Sequence, residues 1–370
     1  MENDKPPRAN GLNGDKLFDL LDSASPEMTD LSPEQENQQR VASDPARPLR
    51  ERLEAYEDIF ESEVGDTSLV RARNLEREIG VRQIFLKFEG TNPTGTQKDR
   101  IAFAQVLDAL RRGYDAITLA TCGNYGAAIS FAAAIAGLRC LIFIPEQYHT
   151  KRIKEMLDCG AEIKRVGGDY EAAVDASSEY AQSAEMYDAN PGGANTSLQL
   201  QAYAGIAGEI YDELRDAPAI VALPVSNGTT LAGIYKGFVS LQRRGRTSRV
   251  PHMAAGSSSF KNPIVQAWLK NLPRCEDLAP DKIRESKVNE PLINWHSMDG
   301  EYALQVLRQS KGMAANASDK KMLAYSRMLR DREGLHVLPA STAGLVALME
   351  LHARQPLASD RYVVILTGKR

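Results

Sequence analysis

Between Ala116 and Leu241 short apolar runs alternate with stretches of helical spacing, and this alternation leaves few folds open. Ala116–Ala120, Leu138–Ile144, Ala161–Val166 and Ile220–Leu223 read as strands. Helices are predicted over Asn124–Ala136, then through Met156 to a stop at Gly160, and over Tyr170–Met186, Leu198–Leu214 and Thr230–Leu241. Strands alternating with helices of this length are βαβ units, which build mainly parallel sheets. Such sheets hold ligands at the carboxyl ends of their strands. At 370 residues, the chain is long enough for two α/β lobes around a cleft.

On either side of this stretch the pattern continues less regularly. Leu49, Leu53, Tyr56 and Phe60 recur at helical spacing, Phe85–Phe88 has strand character, and Ile101–Arg112 reads as helix. Residues 275–300 are polar and irregular. Ser318–Arg332 and Ser341–Arg354 read as helices, and the chain closes on the apolar strand Tyr362–Leu366. Residues 1–48 are rich in Pro, Asp, Glu, Asn and Ser and are expected to be largely disordered, with Leu17, Leu20 and Leu21 as a short amphipathic turn.

Composition excludes several functions. A net charge of −4 argues against a basic nucleic-acid surface. Four cysteines (122, 140, 159 and 275) have no paired spacing, and His149, His252, His296, His336 and His352 have no ligand spacing, so neither a disulfide framework nor a metal site is expected. The N-terminus carries charges without an apolar core segment, unlike a secretory signal, and the apolar run Ala127–Ile144 is broken by Gly137 and Arg139. A cytoplasmic protein with no membrane partner is the expectation.

Three glycine-bearing strand ends and one lysine are the candidate site. Lys98 follows the turn residues Asn92-Pro93-Thr94-Gly95 and precedes a helix. There, burial and the helix dipole both disfavour its charged form, as a carbonyl-attacking amine requires. Thr121-Cys122-Gly123-Asn124-Tyr125-Gly126 follows a strand and opens a helix, a position whose backbone N–H groups suit a carboxylate or phosphate. Ser226-Asn227-Gly228-Thr229-Thr230 repeats the arrangement with hydroxyls added, which favours phosphate, and lacks both GxxxxGK[ST] and GxGxxG. Leu366-Thr367-Gly368 ends a strand on a hydroxyl able to meet a ring nitrogen. A covalent anchor, a phosphate cup, a carboxylate cup and a ring partner together suit pyridoxal phosphate.

The same segments resemble a known family. EGTNPTGTQKDR (89–100) is similar to the lysine motif of the tryptophan-synthase-β-like, fold type II, pyridoxal-phosphate enzymes, and the likeness is greatest to their threonine-synthase-like members. GDTSLVRARNL (65–75), TCGNYGAA (121–128), PVSNGTTLAGIYKGF (224–238), EGLHVLPASTAGLVAL (333–348) and VVILTG (363–368) resemble the family's other segments in the same order. The resemblance implies two open, mainly parallel-sheet lobes with the cofactor between them: a large one of 49–100 with 205–370, and a smaller mobile one of 101–204. It implies Lys98 as the Schiff-base lysine and acid/base. Asn124 is expected at the cofactor's ring oxygen, and Ser226, Asn227, Gly228, Thr229 and Thr230 at its phosphate. Thr367, or Ser341, is expected at the pyridine nitrogen. Thr121, Cys122, Gly123 and Tyr125 are expected at the substrate carboxylate. It further implies a homodimer and elimination or replacement at Cβ or Cγ of an amino acid, such as the conversion of O-phosphohomoserine to threonine and phosphate.

Four positions depart from the family's pattern. Gln97 stands where an aromatic or apolar residue is usual, Tyr125 where a small Thr is usual and Ser68 where Pro is usual; Gln199 stands where threonine synthases carry an arginine for the substrate phosphate. A glutamine gives a dianion a weaker hold than a guanidinium. The alternatives are therefore a paralogue acting on a phospho- or acyl-serine-type amino acid, and a binding protein with altered catalysis. Ser258-Ser259-Phe260-Lys261 also matches the SxxK of serine hydrolases, but without SDN or KTG.

Overall fold

A parallel strand gives its backbone bonds to two neighbours and its two faces to helices, so the alternation of the sequence is met by two helix-covered sheets. The computed structural model describes residues 31–370 except Cys122, Gln147 and 149–151. Ten strands are present among these: β1 (Leu69–Arg71), β2 (Ile84–Phe88), β3 (Ala116–Ala120), β4 (Arg139–Pro145), β5 (Glu162–Val166), β6 (Tyr187–Asp188), β7 (Ile220–Pro224), β8 (His252–Ser258), β9 (Met313–Ala317) and β10 (Tyr362–Leu366). One sheet has the order β1-β2-β10-β7-β8-β9 and the other β5-β4-β3-β6. Every pairing is parallel except β1 with β2. The expected α/β architecture of mainly parallel sheets is the one observed.

β2 and β10 lie side by side in register, Lys87 opposite Ile365 and Phe88 opposite Leu366, although most of the chain separates them. This pairing brings the lysine loop to the C-terminus. Beyond the strands it continues through Gln97 N–H to Thr367 O (2.9 Å) and Lys369 N–H to Gly95 O (2.9 Å). The helix Lys98–Arg111 is buried along nearly all its length. Phe103 on it packs against Tyr56, Phe60 and Phe131 with ring centroids 5.8, 5.6 and 6.1 Å away, which locks it to the helices Leu49–Glu63 and Asn124–Ala136.

The disordered tail expected over 1–48 needs correction for its last part. Pro33–Ser43 is a helix with a capping box: Ser32 Oγ accepts from Gln35 N–H (3.3 Å) and Gln35 Oε1 from Ser32 N–H (2.8 Å). It docks through buried Ala42, and Arg52 donates to Ala42 O (2.9 Å) and Ala136 O (3.0 Å), tying it to the helices beside it. Leu17, Leu20 and Leu21 lie outside the described residues. The helix expected to reach Met186 ends at Ser183, because 187–188 pair with β3. β8 and β9, which the sequence did not suggest, are built mostly from Ala, Gly and Ser and owe their strand state to the sheet around them.

Gly256 of β8 marks the tightest approach of a helix to the sheet. A methyl group there would overlap Ala343 O, a backbone atom. Gly208, inside the helix Thr196–Leu214, has nothing within 4 Å of the same position. Gly256→Ala is expected to destabilise the protein by about 2 kcal/mol or more, and Gly208→Ala to stabilise it by about 0.5–1 kcal/mol, both read from urea unfolding midpoints.

Candidate functional site

The strand ends and the lysine loop converge on one cavity of about 640 Å³ between the two sheets, a size suited to a cofactor with a small substrate. Lys98, Gln97, Thr121, Gly123, Asn124, Tyr125, Gln199, 226–230, Ser341 and Thr367 all line it. Cys122 lies outside the described residues.

Lys98 opens its helix at the wall of this cavity, with its Nζ 5.4 Å from the centroid of the Tyr125 ring. Burial pushes its amine down from 10.5 to about 8, and the carboxylate of Asp299 pulls it partly back up. A larger share of neutral amine therefore exists near neutral pH than on an exposed lysine, the state that attacks a carbonyl. Tyr125 does not block the cavity with its hydroxyl. That group donates to Ala189 O (2.9 Å) and meets Gln105 Nε2, so the phenol is fixed on the far side and only the ring faces the lysine.

The 226–230 turn is held by its carbonyl side. Asn262 Nδ2 and Ser297 Oγ donate to Ser226 O (3.0 and 3.2 Å), and Asp299 N–H donates to Asn227 O (3.0 Å). Asn294 Nδ2 donates to Asn227 Oδ1 (3.0 Å). The N–H groups of 226–230 donate to nothing among the described residues, and they stand at the N-terminus of the helix Thr229–Arg243. Gly228 has φ +98°, and a methyl group on it would meet Asp299 O at 2.9 Å, so glycine is required by both backbone and neighbour. Orphan donors at a helix start fit a phosphate. Asp299, whose carboxylate accepts from the Thr229 hydroxyl, is the one acidic group bonded to this cup among the described residues, and burial raises its pKa.

Ser341 Oγ and Thr367 Oγ1 are 3.0 Å apart and form a hydroxyl pair on the cavity wall. With the lysine, the orphan amides and Asn124, the residues present fit pyridoxal phosphate. Thr121 Oγ1 accepts from Gly123 N–H (3.3 Å) and Gly126 N–H (3.2 Å) and so shapes the carboxylate loop from within. Gln199 Nε2 donates to Ala189 O (3.4 Å) and Asn190 O (3.1 Å), leaving its Oε1 buried without a partner; Gln97 Oε1 is likewise buried and unpartnered.

Sequence reasoning missed Arg152, Asp299, Gln105 and Asn294. Each sits far along the chain from the motif it supports, and no local spacing marks it. The SxxK match does not assemble a serine–lysine pair: Lys261 Nζ is bonded to Arg284 O. Among the described residues, no three His, Cys, Asp or Glu side chains are grouped to hold a metal, and no helix is long and apolar enough to cross a membrane.

Known proteins share both the segments and the architecture. Residues 60–368 match the family model described as pyridoxal-phosphate dependent enzyme. The chain is 29% identical over 305 residues to threonine synthase of Methanocaldococcus jannaschii, covering 82% of this chain and 74% of that protein. It is 30% identical over 291 residues to threonine synthase of Mycobacterium bovis, covering 77% and 76%. Among solved structures it aligns with maize serine racemase at TM-score 0.70 and 15% identity, covering 86% of this chain and 92% of that one. The corresponding values for a threonine deaminase from T.th. are 0.69, 20%, 86% and 97%. At these identities the structural likeness speaks for the fold.

The lowered lysine gives a pH prediction. The rate at which apoprotein takes up pyridoxal phosphate should rise about tenfold per pH unit below 8 and level off above it, followed by stopped-flow absorbance. Asp299→Asn removes the group that raises Lys98 and should move the inflection to lower pH; an unmoved inflection would separate Asp299 from the lysine.

Proposed function

We propose, from the premise that the chain belongs to the pyridoxal-phosphate dependent enzyme family, that it catalyses elimination or replacement at Cβ or Cγ of an amino acid, as a threonine-synthase-like lyase. The observation that carries the reading is the Ser341–Thr367 hydroxyl pair lining the cavity, with no carboxylate bonded to it among the described residues. A neutral hydroxyl at the ring nitrogen moderates electron withdrawal and favours loss of a side-chain group. Pyridoxal phosphate, when bound, supplies an electron sink for the pair left at the substrate's Cα.

This chain's residues do the rest. Lys98 would hold the cofactor through its amine, and the same amine would move the proton at the substrate's Cα. The amides of 226–230 would hold the phosphate, and Asn124 would hydrogen-bond the ring oxygen. Thr121, Gly123 and the start of the helix Asn124–Ala136 orient the substrate carboxylate. The Tyr125 ring shields the amine from water.

The likeness to threonine synthases favours O-phosphohomoserine as substrate. One observation favours a serine-type amino acid with an uncharged side-chain substituent instead. Among the described residues lining the cavity, the cationic side chains are Lys98 and Arg152, and Arg152 is engaged by Glu155, Asn124 and Thr94. Asp169, Glu171, Glu285 and Glu290 also line it, and burial pushes Glu290 up to about 7. A dianion finds little counter-charge there, whereas the open acceptors of Gln97 and Gln199 suit a hydroxyl or amide.

The test adds O-phosphohomoserine, phosphoserine, O-acetylserine, serine and threonine to protein loaded with pyridoxal phosphate. Visible absorbance and release of phosphate, acetate or ammonia are followed. Spectral change with phosphate release from phosphohomoserine supports the first substrate; response to O-acetylserine or serine alone supports the second. No response to any amino acid contradicts the enzymatic reading. Lys98→Ala should lower whichever activity is found by roughly a hundredfold to ten-thousandfold.

A further inference from the structure

Asn124 enters the site with one end of its amide already committed. Its Oδ1 accepts from Arg152 Nη1 at 2.9 Å. A guanidinium has donors only, so the partner of Arg152 must be the amide oxygen, and the amide nitrogen is turned the other way. That nitrogen donates to no group among the described residues, and Asn124 lines the cavity. Arg152 is itself nearly inaccessible, at 5% exposure. Its Nη2 also donates to Thr94 O (2.9 Å), in the turn before Lys98, and Glu155 grips its Nε (3.0 Å) and Nη2 (2.6 Å). One side chain thus spans the lysine loop, the carboxylate loop and the helix Ile153–Asp158.

We infer that Arg152 is a positioning residue for the cofactor: it holds the Asn124 amide with its N–H toward the ring oxygen of pyridoxal phosphate. This rests on the proposed role of the site as a pyridoxal-phosphate pocket. Without Arg152 the amide is free to turn over and present its oxygen to an oxyanion, which repels instead of binding. The interaction is between two protein groups, so its contribution passes entirely through Asn124.

A double-mutant cycle on cofactor binding tests this. Apoprotein of the wild type, Asn124→Ala, Arg152→Met and the double variant is titrated with pyridoxal phosphate, and the dissociation constant and the visible absorbance maximum are recorded. Each single substitution is expected to weaken binding roughly tenfold to a hundredfold, the effect of losing one hydrogen bond to a charged acceptor. The double variant should be no weaker than the weaker single one, with the same shifted maximum, and Arg152→Lys, which still donates, should recover most of the loss. Losses that multiply in the double variant, or an unshifted Arg152→Met, would overturn the inference. If Arg152→Met does not fold, Arg152→Gln, whose shorter side chain does not reach Asn124, replaces it in the cycle under the same criterion, with Arg152→Lys kept as the rescue. Failure of the wild type to bind pyridoxal phosphate at all would instead refute the pocket itself.

Discussion

The site depends on a buried ionic cluster directly behind the lysine loop. Arg100, just beyond Lys98, reaches Glu89 through Nε (2.6 Å) and Glu209 through Nη1 (2.6 Å), with Nη2 bonded to both. Lys87 Nζ lies 2.5 Å from Glu209, and Thr67 Oγ1 donates to Glu89 at 2.7 Å. Glu89 is fully buried and Arg100 nearly so, so each charge depends on its partners for compensation. Burial alone would raise the Glu209 carboxyl, but Arg100 and Lys87 hold it down to about 2. Removing a single member would leave an unpaired charge in the interior, a loss of about 3–5 kcal/mol. The cluster joins the β1 entry, the strand before the lysine, the first turn of the lysine's helix and the helix Thr196–Leu214. The loop that carries Lys98 is thereby tied from behind to four elements.

That rigidity is what makes the pairing of β2 with β10 consequential. With the loop held, Gln97 N–H meets Thr367 O, and the Ser341–Thr367 hydroxyls line the same cavity as the lysine. The phosphate cup is braced through its carbonyls by Asn262, Asn294, Ser297 and Asp299, which leaves its amides for an anion. Each loop is organised from behind by protein groups, and the face toward the cavity keeps its donors. A cofactor bound there meets groups already oriented for it, with little ordering left to do.

The lysine motif was legible because much of it is local. Within EGTNPTGTQKDR, Asn92 donates to Glu89, Thr94 donates to Asp99, and Arg100 returns to Glu89, so a dozen residues largely specify their own turn. The strand–loop–helix units at 121–126 and 226–230 were readable for the same reason. β8 and β9 were not, because HMAAGSS and MAANA lack the branched and aromatic residues that mark a strand; flanking strands and the close approach of helix Ala343–Arg354 decide their state. The polar helix Pro33–Ser43 has little amphipathic pattern, and its capping box was the signal passed over. Arg152 and Asp299 are defined only by tertiary contact. Tyr125, where a small Thr is usual, turns its hydroxyl away from the lysine, since that group is used by Ala189 and Gln105.

The central claim is that Lys98 bonds the cofactor. Its most direct test is to reconstitute the protein with pyridoxal phosphate, reduce with borohydride, digest, and locate the added pyridoxyl mass. The account predicts a single modification, on the peptide containing Lys98, and none in protein whose cofactor is withheld. Modification spread over surface lysines, or confined to a lysine outside the cavity, would contradict it.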